Sequence, residues 1–262
     1  MGADLRRGPS RPARRGARAL IEIEDLTVRF GGVTPLDGMT VRFEQGTCGL
    51  IGPNGAGKTT FFNVLSGFVA PASGRITAEG DDLLAMPHFR RARWGVRRTF
   101  QTEQAIEELS VAANVALAHE HSRLGSRASR REDVLAALAF VGLGEVDPDA
   151  KVGTLGARER RLVEVARAVV GKPRLVLLDE PAAGLPDEET EHLGHVIRRI
   201  PEHTGALVIL VDHDMSLVSA CCQVTAVLDF GKLIAAGPTA EVLRDEQVVR
   251  AYLGTEDVEE AA

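Results

Sequence analysis

Two hydrophobic periods alternate along this chain. Ile21-Glu22-Ile23-Glu24 and Leu26-Thr27-Val28-Arg29-Phe30 put an apolar side chain at every second position, the spacing of a half-buried strand, and Val41-Arg42-Phe43 repeats it. Gly31-Gly32 and Pro35-Leu36-Asp37-Gly38 between them read as turns. Thr47 to Ile51, Arg174 to Leu178 and Ala206 to Val211 are apolar without alternation, which fits strands covered on both faces, as in a parallel sheet. Ser73 to Thr77 adds a strand and Glu79 to Asp82 a turn; Val224 to Leu228 and Lys232 to Ala235 form a closing hairpin through Asp229-Phe230-Gly231. Helical spacing covers Thr60 to Ser66 before Gly67, then Val111 to His119, Glu132 to Val141, Glu159 to Val170 and Thr239 to Leu253, with a Ser/Arg-rich linker from Ser122 to Arg131.

These elements predict an α/β fold: a core with a mostly parallel sheet, an antiparallel β subdomain at its N-terminal side, and an inserted α-helical subdomain over about 102–153. Residues 20–254 make one folded domain. Residues 1–19 carry six arginines among glycine, proline and alanine and predict a disordered tail; 255–262 are acidic and predict a frayed end.

Composition narrows the class. At 262 residues with 44% apolar content a sizeable core is affordable, and a net charge of −6 argues against nucleic-acid binding through a broad basic patch. Cys48, Cys221 and Cys222 show no metal-ligand spacing and no even disulfide count, which suits a reducing compartment. No run of 18 apolar residues exists, so any membrane link goes through a partner.

The chemistry begins at Gly52-Pro53-Asn54-Gly55-Ala56-Gly57-Lys58-Thr59-Thr60, which fits G-x-x-x-x-G-K-[ST] between a strand and a helix. Glycines let backbone amides turn onto phosphates, Lys58 brings a point charge, the Thr59 hydroxyl can ligate Mg2+, and the helix N-terminus favours anions. The motif binds a nucleoside triphosphate. A second anchor follows in Asp179-Glu180 at the end of a buried-strand run: Asp179 can serve the Mg2+ and Glu180 can polarise an attacking water. Phe30, ending its strand at a glycine pair, can lie against adenine or fill the core. His213, just past a strand, can reach a γ-phosphate oxygen or sit solvated in its loop. His119 and His121 lack acidic or cysteine companions and read as a solvated helix end.

With Gly52 to Thr60, Gln101, Asp179-Glu180 and His213 in this order, the chain resembles the ATP-binding subunit of an ABC transporter from about Leu20 to Gly254. Val28-Arg29-Phe30-Gly31-Gly32, Arg98-Thr99-Phe100-Gln101, Asp179 to Leu185, Asp212-His213-Asp214-Met215 and Ala251-Tyr252-Leu253-Gly254 are similar to the branch that powers uptake of branched-chain amino acids, with other small polar solutes such as urea or amides as the alternative. The resemblance implies ATP and Mg2+ as cofactors, Phe30 as the adenine-stacking ring, Gln101 as the link between Mg2+, water and a transmembrane partner, Glu180 as general base and His213 as the γ-phosphate switch. It also implies two permease subunits, a second ATPase subunit, an extracytoplasmic binding protein reached indirectly, no nucleic acid, and a cytoplasmic position on the inner face of the membrane. One motif departs. The family's signature loop falls on Leu155-Gly156-Ala157-Arg158-Glu159, where Gly156 lacks a serine hydroxyl and Arg158 replaces a glycine. Pro186 stands where an asparagine or aspartate is usual. A hetero-dimer with an ATPase of intact signature is therefore expected, a nucleotide-binding subunit of weak turnover being the alternative.

Overall fold

The computed structural model describes residues 21–44, 46–119 and 127–259, the side chains of 127–129 and 253–259 excepted. The arginine-rich stretch 1–19 and His121 lie outside the described residues. In chain order the elements are β1 (Ile21–Phe30), β2 (Val33–Phe43), β3 (Thr47–Ile51), α1 (Lys58–Ser66), β4 (Ser73–Ala78), β5 (Asp81–Asp82), α2 (His88–Trp94), β6 (Val96–Arg98), α3 (Val111–His119), α4 (Arg127–Phe140), a 3-10 turn (Val152–Thr154), α5 (Ala157–Val169), β7 (Leu175–Asp179), α6 (Asp187–Thr204), β8 (Leu207–Val211), α7 (Met215–Cys221), β9 (Val224–Asp229), β10 (Lys232–Pro238), α8 (Thr239–Val242) and α9 (Glu246–Glu259).

The strands form two sheets. An antiparallel sheet runs β2-β1-β4-β5, with Ile23 opposite both Val41 and Ile76. The main sheet runs β10-β9-β3-β8-β7-β6, parallel throughout except for β10 at its edge. Strands buried on both faces split their side chains by parity. Leu175, Leu177, Leu207 and Ile209 pack with Phe61 and Phe62 of α1 and the inner face of the antiparallel sheet, whereas Val176, Leu178, Val208 and Leu210 pack under α5 and α6. Each such side chain, fully removed from water, contributes about 1.5–3 kcal/mol. The sheet is thus clamped from both sides, and its β3 and β7 ends are fixed where the phosphate loop and the acidic pair emerge.

Four local expectations are corrected. Pro35 to Gly38 is not a turn: it lies inside β2, where the register with β1 shifts between Leu26/Met39 and Val28/Leu36. Because β2 is an edge strand, Pro35 removes no interior ladder bond. The linker Ser122 to Arg131 overlaps α4, which starts at Arg127. The helix expected over Thr239 to Leu253 breaks between Val242 and Glu246, and α9 then continues past Gly254, where an end had been expected. His119 is not a solvated helix end: its ring is 1% exposed and its Nε2 lies 2.8 Å from Oδ2 of the half-exposed Asp133 on α4, a contact that ties two helices together.

Candidate nucleotide site

The phosphate loop is shaped by what cannot fit beside it. Gly57 has φ +107°, and a Cβ there would stand 2.2 Å from the Pro35 carbonyl oxygen; at Gly52 a Cβ would stand 2.0 Å from the Leu228 carbonyl oxygen. Only glycine satisfies both backbone angle and space. Lys58 opens α1, is 6% exposed, and folds its ammonium back onto the loop's own carbonyls, Gly52 at 2.5 Å and Pro53 at 2.9 Å. Burial lowers the Lys58 pKa, while the Glu180 and Asp179 carboxylates oppose that shift. A pocket of about 260 Å³ opens here, lined by Pro35, the loop from Asn54 to Thr60, Gln101 and Glu180.

The acidic pair sits where β7 ends. Asp179 is buried, and its Oδ2 accepts from Arg98 Nη2 at 2.8 Å. Glu180 turns into the left-handed region at φ +46°, a conformation an L side chain adopts at a cost, and its amide donates to the Val211 carbonyl at 2.8 Å. That bend sends the carboxylate between two partners: Gln101 Nε2 donates to Oε2 at 2.7 Å, and His213 Nε2 lies 3.0 Å from Oε1. His213 is held by a buried neighbour. Asp212 accepts the Ala182 amide at 3.3 Å and the Asp214 amide at 3.0 Å, so one carboxylate joins the loop after Glu180 to the loop bearing His213. Burial raises the Asp212 pKa, the amide bonds opposing.

The structure therefore gathers Lys58, Thr59, Thr60, Gln101 and Glu180 at one pocket with His213 on Glu180, and places Asp179 one residue before Glu180. Phe30 ends β1 and is 53% exposed, so it is not core; β2, which pairs with it at Val33, supplies Pro35 to the pocket wall. Leu155 to Glu159 lie elsewhere, at the start of α5. There Gly156 is the N-cap without a side chain to cap with, and the Glu159 carboxylate reaches back to accept the Gly156 amide at 3.0 Å. Arg158 is exposed, and Pro186 caps α6 with φ −62°, an angle proline supplies unstrained. Sequence reasoning missed Arg98 as a partner of Asp179; the signal available was its place three residues before Gln101.

The donor set fits a hard cation shared with phosphates. Among the described residues no three His, Cys, Asp or Glu side chains cluster tightly enough to hold a metal unaided. What is present is one hydroxyl (Thr59), one carboxylate whose Oδ1 has no hydrogen-bond partner among the described residues (Asp179), and the Gln101 amide, whose oxygen is free of its bond to Glu180. Proteins in general hold Mg2+ through one or two side-chain oxygens completed by phosphate and water.

Residues 36–183, more than half of the chain, match the ABC transporter family model, and residues 232–258 match that of the branched-chain amino acid ATP-binding cassette transporter. The high-affinity branched-chain amino acid transport ATP-binding protein BraF of Pseudomonas aeruginosa is 35% identical over 91% of this chain and 99% of its own; LivG of Salmonella typhimurium, of the same description, is also 35% identical with the same coverage. The lipopolysaccharide export ATP-binding protein LptB of Acidithiobacillus ferridurans is 36% identical over 79% of this chain and 84% of its own. Among solved structures, an ATP-binding cassette of an ABC transporter in its ADP conformation superposes with a TM-score of 0.80 at 26% identity, covering 90% of this chain and 99% of that one. The chain belongs to the ABC transporter family, as one of its ATP-binding, ATP-hydrolysing subunits.

Proposed function

We propose that this chain hydrolyses Mg-ATP to energise a membrane permease pair that imports branched-chain amino acids. The observation that carries the reading is Glu180, bent out of β7 and held between Gln101 and His213 at the mouth of the phosphate loop. A carboxylate so placed can take a proton from a water in line with the γ-phosphate, while Lys58 would turn from the loop carbonyls that accept its ammonium here to the phosphate oxygens. Asp179, Thr59 and Gln101 would hold the Mg2+, which when bound offsets charge on the transferring phosphoryl group. His213, in contact with Glu180, would orient the same phosphate, and Phe30, an exposed ring, would lie against adenine.

The substrate class rests on the C-terminal match over 232–258 and on the likeness to BraF and LivG, since the similarity to LptB shows that identity over the ATPase core does not separate cargoes. Permease contact is supported by a cleft of about 530 Å³ lined by Phe68, Phe89, Phe100, Arg93 and Arg97, beside the strand that leads to Gln101; no helix among the described residues is long and apolar enough to cross a membrane. The chain would thus sit peripherally on the inner face. A second, different ATPase subunit is proposed because Glu159 occupies the α5 N-terminus and Arg158 stands where a glycine would let another nucleotide approach.

The experiment is reconstitution in proteoliposomes with the permeases, the second ATPase and the binding protein. ATP turnover should rise on adding leucine-loaded binding protein and stay at its resting level with urea. Stimulation by urea alone would move the substrate class, and no turnover with any partner would overturn the reading.

A further inference from the structure

Arg98 closes β6, and its guanidinium is spent on two elements at once. Nη2 meets Asp179 Oδ2 at 2.8 Å and Nη1 donates to Asn63 Oδ1 at 2.7 Å on α1, the helix that begins with Lys58 and Thr59. The guanidinium carbon lies 4.8 Å from the Phe100 ring centroid and 5.5 Å from that of Phe62. Arg98 and Asp179 side chains are each 6% exposed, so the pair is desolvated and its geometry is held by packing as well as charge. A buried guanidinium on Oδ2 restrains the rotation of the Asp179 carboxylate. Its Oδ1 has no hydrogen-bond partner among the described residues, and the same arginine reaches α1, which carries Thr59, through Asn63.

We infer that Arg98 is a positioning residue for the metal: it fixes Asp179 as a one-oxygen partner of the nucleotide's Mg2+ and keeps that oxygen in register with the Thr59 hydroxyl. The inference rests on the proposed nucleotide site and adds a residue to it. Arginine is required for its planar fork, since a lysine ammonium keeps the charge but cannot span Asp179 and Asn63 while lying against two rings. Outer partners of metal-binding carboxylates characteristically matter in this way, by about 10- to 100-fold in metal affinity.

The test is calorimetric titration of ADP into the full chain with Mg2+ and with EDTA, for wild type, Arg98→Lys and Asn63→Ala. Arg98→Lys should lose about tenfold of the Mg2+-dependent gain in ADP affinity while its affinity in EDTA stays within about twofold. Asn63→Ala, which leaves the ion pair, should move the same ratio in the same direction by a smaller factor, and it carries the test if Arg98→Lys does not fold. An unchanged ratio, or equal weakening in Mg2+ and EDTA, overturns the inference. A wild-type chain that binds no ADP in either buffer instead overturns the nucleotide site itself.

Discussion

The carboxylate of Glu164, in the middle of α5, accepts the backbone amide of Gln104, and Arg167 one turn later donates to the Gln104 carbonyl at 2.6 Å. Three residues after Gln101, the chain is therefore held at both its donor and its acceptor by the helix that the signature stretch begins. Arg160 adds a 3.0 Å bond to Glu103, and Arg161 pairs with the other Glu164 oxygen at 2.9 Å in a buried setting. Glu164→Ala strips Arg161 and the Gln104 amide of a buried partner, at a cost of roughly 3 kcal/mol. Calorimetry should show a melting point lower by about 6–12 °C. Burial raises the Glu164 pKa, the Gln104 amide and Arg161 opposing, so this group favours the native state most below the ordinary carboxylate value. Its contribution falls as pH rises through the raised value, and the wild-type minus Glu164→Gln stability difference should shrink over that window.

Glu180→Gln keeps the shape of the side chain and removes its basicity. ATP turnover in the assembled complex should fall by about 10²- to 10³-fold with nucleotide affinity within a few-fold of wild type. His213→Ala should lower turnover as well, since the 3.0 Å contact that holds Glu180 Oε1 is lost. Single-turnover measurements separate chemistry from binding, and a Glu180→Gln protein that turns over normally removes Glu180 from the mechanism.

Much of the fold was legible because it is written in local pattern. The alternation from Ile21 to Phe30, the apolar runs of β3, β7 and β8, and the glycine loop before α1 needed no knowledge of tertiary neighbours. What stayed hidden depends on partners distant in sequence. β6 is a strand of Val96-Arg97-Arg98, and its charges are tolerable only because Arg97 donates to the Ala92 and Val96 carbonyls and Arg98 reaches Asn63 and Asp179. α6 carries Gly194 and Pro201 within its span, both of which weaken a helical reading, and packing of Leu193, Ile197 and Ile200 under the sheet overrides them. Asp133, which meets His119, lies in the helix predicted from Glu132, but nothing local says that this helix packs on the one bearing His119. Of the site, the individual residues were visible but their pairing was not: nothing local says that Gln101 and His213 share Glu180.

Gly57→Ala should abolish nucleotide binding. The added methyl would meet the Pro35 carbonyl at 2.2 Å with φ at +107°, so either the loop or β2 must move. Because Phe61 donates its amide to the Gly57 carbonyl at 2.9 Å, the disturbance reaches the first turn of α1. Fluorescent ADP titration should find no saturable binding, while Gly55→Ala, at a position with open space but φ +78°, should weaken binding less.

The three cysteines should be silent in the native protein. All are buried; burial pushes the Cys48 thiol up to about 12 and Cys221 to about 11, and raises Cys222 further. Thiolate, the reactive form, is then scarce at neutral pH and shielded where present. Ellman's reagent should count none in buffer and three after denaturation; a rapidly reacting native thiol would show that β3 or the end of α7 opens.

Asp214 ties stability to the site through one short helix. It is the N-cap of α7, accepting the Ser216 amide at 2.8 Å, the Leu217 amide at 3.1 Å and the Ser216 hydroxyl, and it directly follows His213. The Ser216 hydroxyl bond lowers the Asp214 pKa; burial opposes it, and the Leu217 and Ser216 amides add to the lowering. A depressed carboxylate adds stability that is complete above the unfolded value and is lost as pH falls through the folded one. Asp214→Ala should therefore cost about 1 kcal/mol at neutral pH, and the gap should close in acid as the wild type loses the charged cap that the variant never has. Chemical denaturation at a series of pH values reads this directly. A gap that stays constant into acid would mean that the cap acts through packing and not through its charge, and turnover lowered in step with the gap would show that the same cap holds His213 against Glu180.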